Sequence, residues 1–127
     1  MNFDIKYWVD KGHYSLMNPE RILTDVGISI FDEHGCKIIS SSVILDEDDY
    51  AYFRKKMAEN PVDGFIEAAD LFFEKIIYST KEEEIREAVN YLKKHKKSLE
   101  RAWYQSQIKD LEKRLEILKK KYMEVMI

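Results

Sequence analysis

Beyond Gly64 the chain contains neither glycine nor proline, and its 127 residues include only four glycines, two prolines, three histidines and one cysteine. Each scarcity excludes something. The single cysteine, Cys36, rules out an intramolecular disulfide framework and suits a reducing compartment, so a cytoplasmic location is expected. No apolar run approaches the roughly 20 residues that span a bilayer. Met1-Asn2-Phe3-Asp4 has neither the basic nor the apolar region of a secretion signal, and no membrane partner is expected. Glycine-rich phosphate loops, nucleophile elbows and zinc-protease motifs are all missing.

What is abundant is charge, unevenly placed. Charged residues make up 35% of the chain, as suits a protein with much exposed helix. Residues 1–92 hold 10 Lys/Arg against 19 Asp/Glu, whereas residues 93–121 hold 11 against 4. An acidic head is thus joined to a basic stalk. Attraction between the two halves, within or between chains, is the simplest account of that asymmetry.

Phe3, Ile5, Tyr7 and Val9 alternate with polar residues and Trp8, which predicts a strand with one buried face. Asp10 to His13 reads as a turn, Tyr14 to Met17 as a short strand, and Asn18-Pro19 as its end. Ile22 to Phe31 is the clearest strand, with Val26, Ile28 and Ile30 on one face. Gly27 inside it signals a bulge or a close backbone approach. Asp32-Glu33-His34-Gly35 supplies a hairpin loop with Gly35 at the positive-φ position, and Cys36 to Leu45 returns as the partner strand. A first helix opens at Asp46 with Tyr50, Phe53 and Met57 at helical spacing, and Asn60-Pro61 stops it. A second runs from about Val62 to Tyr78. Phe65, Ala68, Ala69, Phe72, Phe73, Ile76 and Ile77 make its broad apolar face, the main cover for the sheet.

Thr80 to Ile127 then reads as one long helix of roughly 70 Å, started by a capping box at Ser79-Thr80 with Glu82 and Glu83. The rival arrangement is a helical hairpin broken near Lys96-Lys97-Ser98, with Ser98 as an N-cap. Two apolar seams follow heptad spacing. One runs Ile85, Val89, Leu92, Lys96, Leu99, Trp103, and the other Tyr104, Ile108, Leu111, Leu115, Leu118, Tyr122, Val125. They are offset by one residue, a rotation of about 100°. The first seam is therefore expected to pack on the head and the second on another helix, most simply in a second copy of the chain.

Candidate chemistries are few. Asp46 to Asp49 lacks the glycine and glutamate placement of an EF-hand, and acidic residues at a helix start need no metal to explain them. His13, His34 and Cys36 match no zinc spacing, and a nucleophilic role for Cys36 requires a histidine that nothing in the sequence brings near. A small, partly buried residue at a strand start is the better account of Cys36. No metal, cofactor or catalytic residue is assigned. Thr24-Asp25-Val26-Gly27 superficially resembles the Asp-x-Gly strand openings of RNase H-like and actin-like folds. The phosphate-binding residues that follow that glycine there are missing here, and a hairpin strand explains the stretch better.

The sequence therefore predicts an α+β protein: an antiparallel β-meander of three or more strands covered by helices. A head spans residues 1–79, and a long C-terminal helix over 80–127 mediates self-association in coiled-coil-like packing. The expected role is binding without catalysis. It would be a homodimeric adaptor, assembly factor or small inhibitor, such as a phage-type regulator of a nucleic-acid-handling protein, that offers its acidic head to a basic protein surface. The alternative is nucleic-acid or nucleotide binding through the helix over 93–104. There Lys93, Lys94, Lys97 and Arg101 would meet phosphates, and Trp103 and Tyr104 would stack on bases. A solvated cationic face with the two aromatics buried in a core or interface accounts for the same residues.

Overall fold

Alternation along the N-terminal third builds a three-stranded antiparallel sheet in the computed structural model, which describes residues 3–14, 22–75 and 81–126. Strands β1 (Asp4–Tyr14), β2 (Ile22–Phe31) and β3 (Lys37–Asp46) lie in the order β1-β2-β3. Ile5 pairs with Ile30, Tyr7 with Ile28 and Val9 with Val26, while Ile28 pairs with Ser41 and Val26 with Val43. Because side chains alternate along a strand, this register gathers Ile5, Val26, Ile28, Ile30, Val43 and Leu45 on one face, where all are buried.

The predicted turn at Asp10 to His13 is corrected. The strand runs through it to Tyr14, and Gly12 is absorbed by a register shift between Lys11 and His13. A bulge keeps both flanking pairs in the ladder at the cost of one unpaired residue, so the turn-forming residues bend the strand without ending it. Residues 15–17 of the expected short strand, with Asn18-Pro19, lie outside the described residues. The β2–β3 loop is as read. Gly35 has φ 80°, its N–H donates to the Asp32 carbonyl at 3.0 Å, and Asp32 Oδ1 accepts from the N–H groups of His34 and Cys36. Cys36 is exposed rather than partly buried.

Four helices follow. Asp46 ends β3 and caps α1 (Glu47–Glu59), accepting the Asp49 N–H at 2.9 Å. Asn60 closes α1 through its backbone N–H and opens α2 (Pro61–Lys75) by accepting the Asp63 N–H on its side chain at 3.2 Å. Pro61 sits where its missing N–H costs nothing. Gly64 lets the two helices meet closely, since a Cβ there would lie 3.1 Å from Met57 Cα. Residues 76–78 of the expected second helix and the Ser79-Thr80 capping box lie outside the described residues.

The single helix predicted from Thr80 is corrected to two: α3 (Glu82–Lys94) and α4 (Lys96–Met126). The join is His95, at φ −108° and ψ 18°, which departs from helical geometry. It is a bend, since α3 and α4 touch little beyond it, and Ser98 lies inside α4. The reason is packing. Helix α3 lies against β3 and α2, whereas the base of α4 lies against β1, at the other edge of the sheet. A straight helix would not serve both. The His95 ring stacks near those of Tyr91 and Phe3, at centroid distances of 4.5 and 6.3 Å.

Candidate self-association surface

The two apolar seams part where the sequence changes step. Ile85, Ala88, Val89, Leu92, Leu99 and Trp103 are all buried in the same core as the sheet and α2. Trp103 is 6% exposed, its indole N–H donates to the Glu59 carbonyl at 2.8 Å, and its ring meets Tyr7 edge-on at 5.9 Å. The next residue, Tyr104, is 48% exposed. From there α4 leaves the head: Tyr104 to Met126 extend about 34 Å at 1.5 Å per residue.

Along that length Ile108, Leu111, Leu115, Leu118, Tyr122 and Val125 are each more than half exposed, with Val125 at 85%. The head packs on the side of α4 that carries Leu99 and Trp103. At 100° per residue, the stripe from Tyr104 to Val125 lies roughly 110° around the helix from it. No described residue of the chain covers this stripe. Solvent-facing apolar side chains at strict heptad spacing are unusual on a monomer, because each leaves transfer free energy unclaimed.

A polar cluster fixes the root of this stalk. Lys96 breaks the first apolar seam because it reaches Asp63 at 3.1 Å, while Lys56 reaches the same carboxylate at 3.4 Å and also pairs with Glu67. Asn60 Nδ2 donates to Glu100 at 2.6 Å. Burial alone would raise the Asp63 carboxyl, but the hydrogen bond and charge of Lys96, with Lys56, hold it below the ordinary aspartate value. Lys56 is raised chiefly by its hydrogen bond to Glu67, and Lys96 by its bond to Asp63. The joint between α1 and α2 is therefore tied to the first turns of α4.

The basic segment presents a mixed surface. Lys93, Lys94, Lys97 and Arg101 are exposed, as is Tyr104 in large part, but Trp103 belongs to the core and offers no face to a base. Arg101 lines an open groove of about 650 Å³ with Gln105, Lys109 and Lys113 on α4 and Phe3 from the start of the sheet. Acidic residues fill the first turns of α1 (Glu47, Asp48, Asp49) and α3 (Glu82, Glu83, Glu84), where the helix dipoles favour them. His34 has Glu33 3.9 Å away on an exposed loop. The side chain of His13 lies outside the described residues. Sequence reasoning did not foresee the tie from Asn60, Asp63 and Lys56 to α4, although a lysine inside an apolar seam was a signal that a carboxylate waits opposite. Among the described residues no helix is long and apolar enough to cross a membrane. No protein-family model, curated protein or solved structure matches the chain.

Proposed function

We propose that this protein is a non-catalytic interaction module that self-associates through the stalk of α4 and offers its acidic head to a basic partner surface, as an adaptor or inhibitor does. One observation carries the reading: a continuous heptad stripe, Tyr104 to Val125, stands clear of the head and exposed along its whole length. A helix with that pattern gains stability by burying it, and a second copy supplies an identical stripe. The acidic first turns of α1 and α3 are the head's contribution, and they suit a cationic surface. The test is Leu111→Asp with Leu118→Asp. Placing carboxylates in a paired seam costs several kcal/mol per layer. The double variant should therefore sediment as a monomer while keeping the circular dichroism of a folded head. A variant that assembles like the parent would overturn the reading.

Nucleic-acid binding over residues 93–104 is the second reading, supported by the exposure of Lys93, Lys94, Lys97 and Arg101. Only Tyr104 remains there for stacking. Binding that weakens steeply with salt and is lost on Lys93→Glu with Lys97→Glu supports it; no binding at low salt sinks it.

A further inference from the structure

Resting on the reading that α4 self-associates, we infer that the two stalks pair antiparallel, Leu115 of each copy against Leu118 of the other, with the two heads at opposite ends of the rod. The residues flanking the seam carry the argument. With Ile108, Leu115 and Tyr122 at heptad position a, Glu112 and Lys119 fall at e, and Arg114 and Lys121 at g. All four project beyond the head, and none is in an ion pair among the described residues.

In a parallel pair each g residue faces the e residue five places on in the other helix. Arg114 then faces Lys119 of the second copy, twice by symmetry, and Glu112 faces only Gln107. No opposite charges meet. In an antiparallel pair e faces e and g faces g. With Leu115 against Leu118, Glu112 falls beside Lys119 of the second copy, twice, while Arg114 faces Lys121 on the other flank. The like-charge contact remains, and two opposite-charge contacts are added. Overlapping the helices by one heptad more would set Glu112 against Glu112 and Arg114 against Arg114, so charge selects the register as well as the direction.

Side-chain shape agrees. The same register lays Ile108 on Val125 and Leu111 on Tyr122, whereas a parallel pair sets Tyr122 on Tyr122 at position a, where β-branched residues pack best. Tyr104 falls outside these layers. Each head is net acidic, and antiparallel stalks keep the heads apart. Trp103, the last residue on the head, lies about 20 Å from the two-fold axis, so the two heads are rooted roughly 40 Å apart. The product is a rod with one acidic head at each end, able to engage two partner surfaces at once.

The test is spin-label distance measurement on full-length Cys36→Ser protein, labelled in separate samples through Ser106→Cys and Lys120→Cys, at a concentration where sedimentation gives a dimer. Both positions lie on the outer face of the pair. Antiparallel pairing separates the labels along the axis by about 32 Å at 106 and about 10 Å at 120, so the first distance exceeds the second by more than about 10 Å. Equal distances mean a parallel pair and overturn this inference while leaving self-association standing. Monomer mass with no intermolecular distance overturns the self-association reading itself. Lys119→Glu gives an independent sign: it weakens an antiparallel dimer several-fold by facing Glu112, and tightens a parallel one by facing Arg114.

Discussion

Trp103 and Tyr104 are neighbours in sequence with opposite duties, and replacing the first isolates what roots the stalk. Trp103→Phe keeps an aromatic ring for the edge contact with Tyr7 but removes the indole N–H that reaches Glu59 at 2.8 Å. The lost hydrogen bond contributes about 1 kcal/mol, and less if water replaces the indole at the end of α1. The truncated ring gives up roughly 60 Å² of buried apolar surface, about 1.5 kcal/mol at 25 cal/mol per Å². Together these predict a loss of about 2 kcal/mol. With a urea slope of about 2 kcal/mol per M, the midpoint moves down by roughly 1 M. The assay is urea unfolding followed by far-ultraviolet circular dichroism, because the substitution removes one of the two tryptophan fluorophores. The parent and Tyr104→Ala run alongside at one protein concentration. Tyr104→Ala should shift the midpoint by no more than about 0.3 M, because Tyr104 is exposed on the chain and lies outside the layers of the antiparallel pair. If Trp103→Phe unfolds with the parent, or the Tyr104 variant loses as much stability as the tryptophan variant, the division of α4 at this step is wrong.

Three further outcomes follow from the same contacts. Gly64→Ala places a Cβ against the Met57 backbone in the last turn of α1, which cannot swing aside as a side chain can. Overpacking should outweigh the gain in helix propensity and lower thermal stability by about 1 kcal/mol. Gly27→Ala meets the Trp8 indole at 2.2 Å, and that ring is a partly exposed side chain able to leave. A red-shifted emission with little loss of stability is expected, and an unshifted spectrum would count against the close approach. Asp63 is held below its ordinary value despite burial, so its contribution is complete at neutral pH and fades as pH falls below about 4 through its folded value. The stability difference between parent and Asp63→Asn should accordingly be at most about 1 kcal/mol at pH 7 and should shrink on acidification. A difference that grows in acid would reverse the sign of the argument.

Strands β2 and β3 were legible because each reports on two faces at once, whereas β1 was read only as far as Val9. Val26, Ile28 and Ile30 alternate cleanly, and Gly35 announced the one left-handed residue the hairpin needs. The helix joint at Asn60-Pro61 was legible for a similar local reason, since a proline tolerated only at a helix start follows a side chain that can cap. A break near His95 was read only within the rival helical hairpin at Lys96-Lys97-Ser98, and its form as a bend was not legible. No glycine or proline marks it, and its cause is tertiary: α3 packs toward β3 and the base of α4 toward β1, opposite edges of the sheet. Gly27 signalled either a bulge or a close approach; it is the latter, and its partner Trp8 sits 19 residues away on β1, where no local pattern names it. The stalk was the most legible feature of all, because a heptad seam is periodic whether or not its partner is in view.

Sedimentation equilibrium of the unmodified chain decides whether the Tyr104 to Val125 stripe pairs with a second copy. Across the micromolar range the fitted mass should rise from 15.2 kDa toward about 30 kDa, and it should do so in high salt, because burial of the apolar stripe drives pairing. A mass that stays at 15.2 kDa into the hundreds of micromolar would contradict the account.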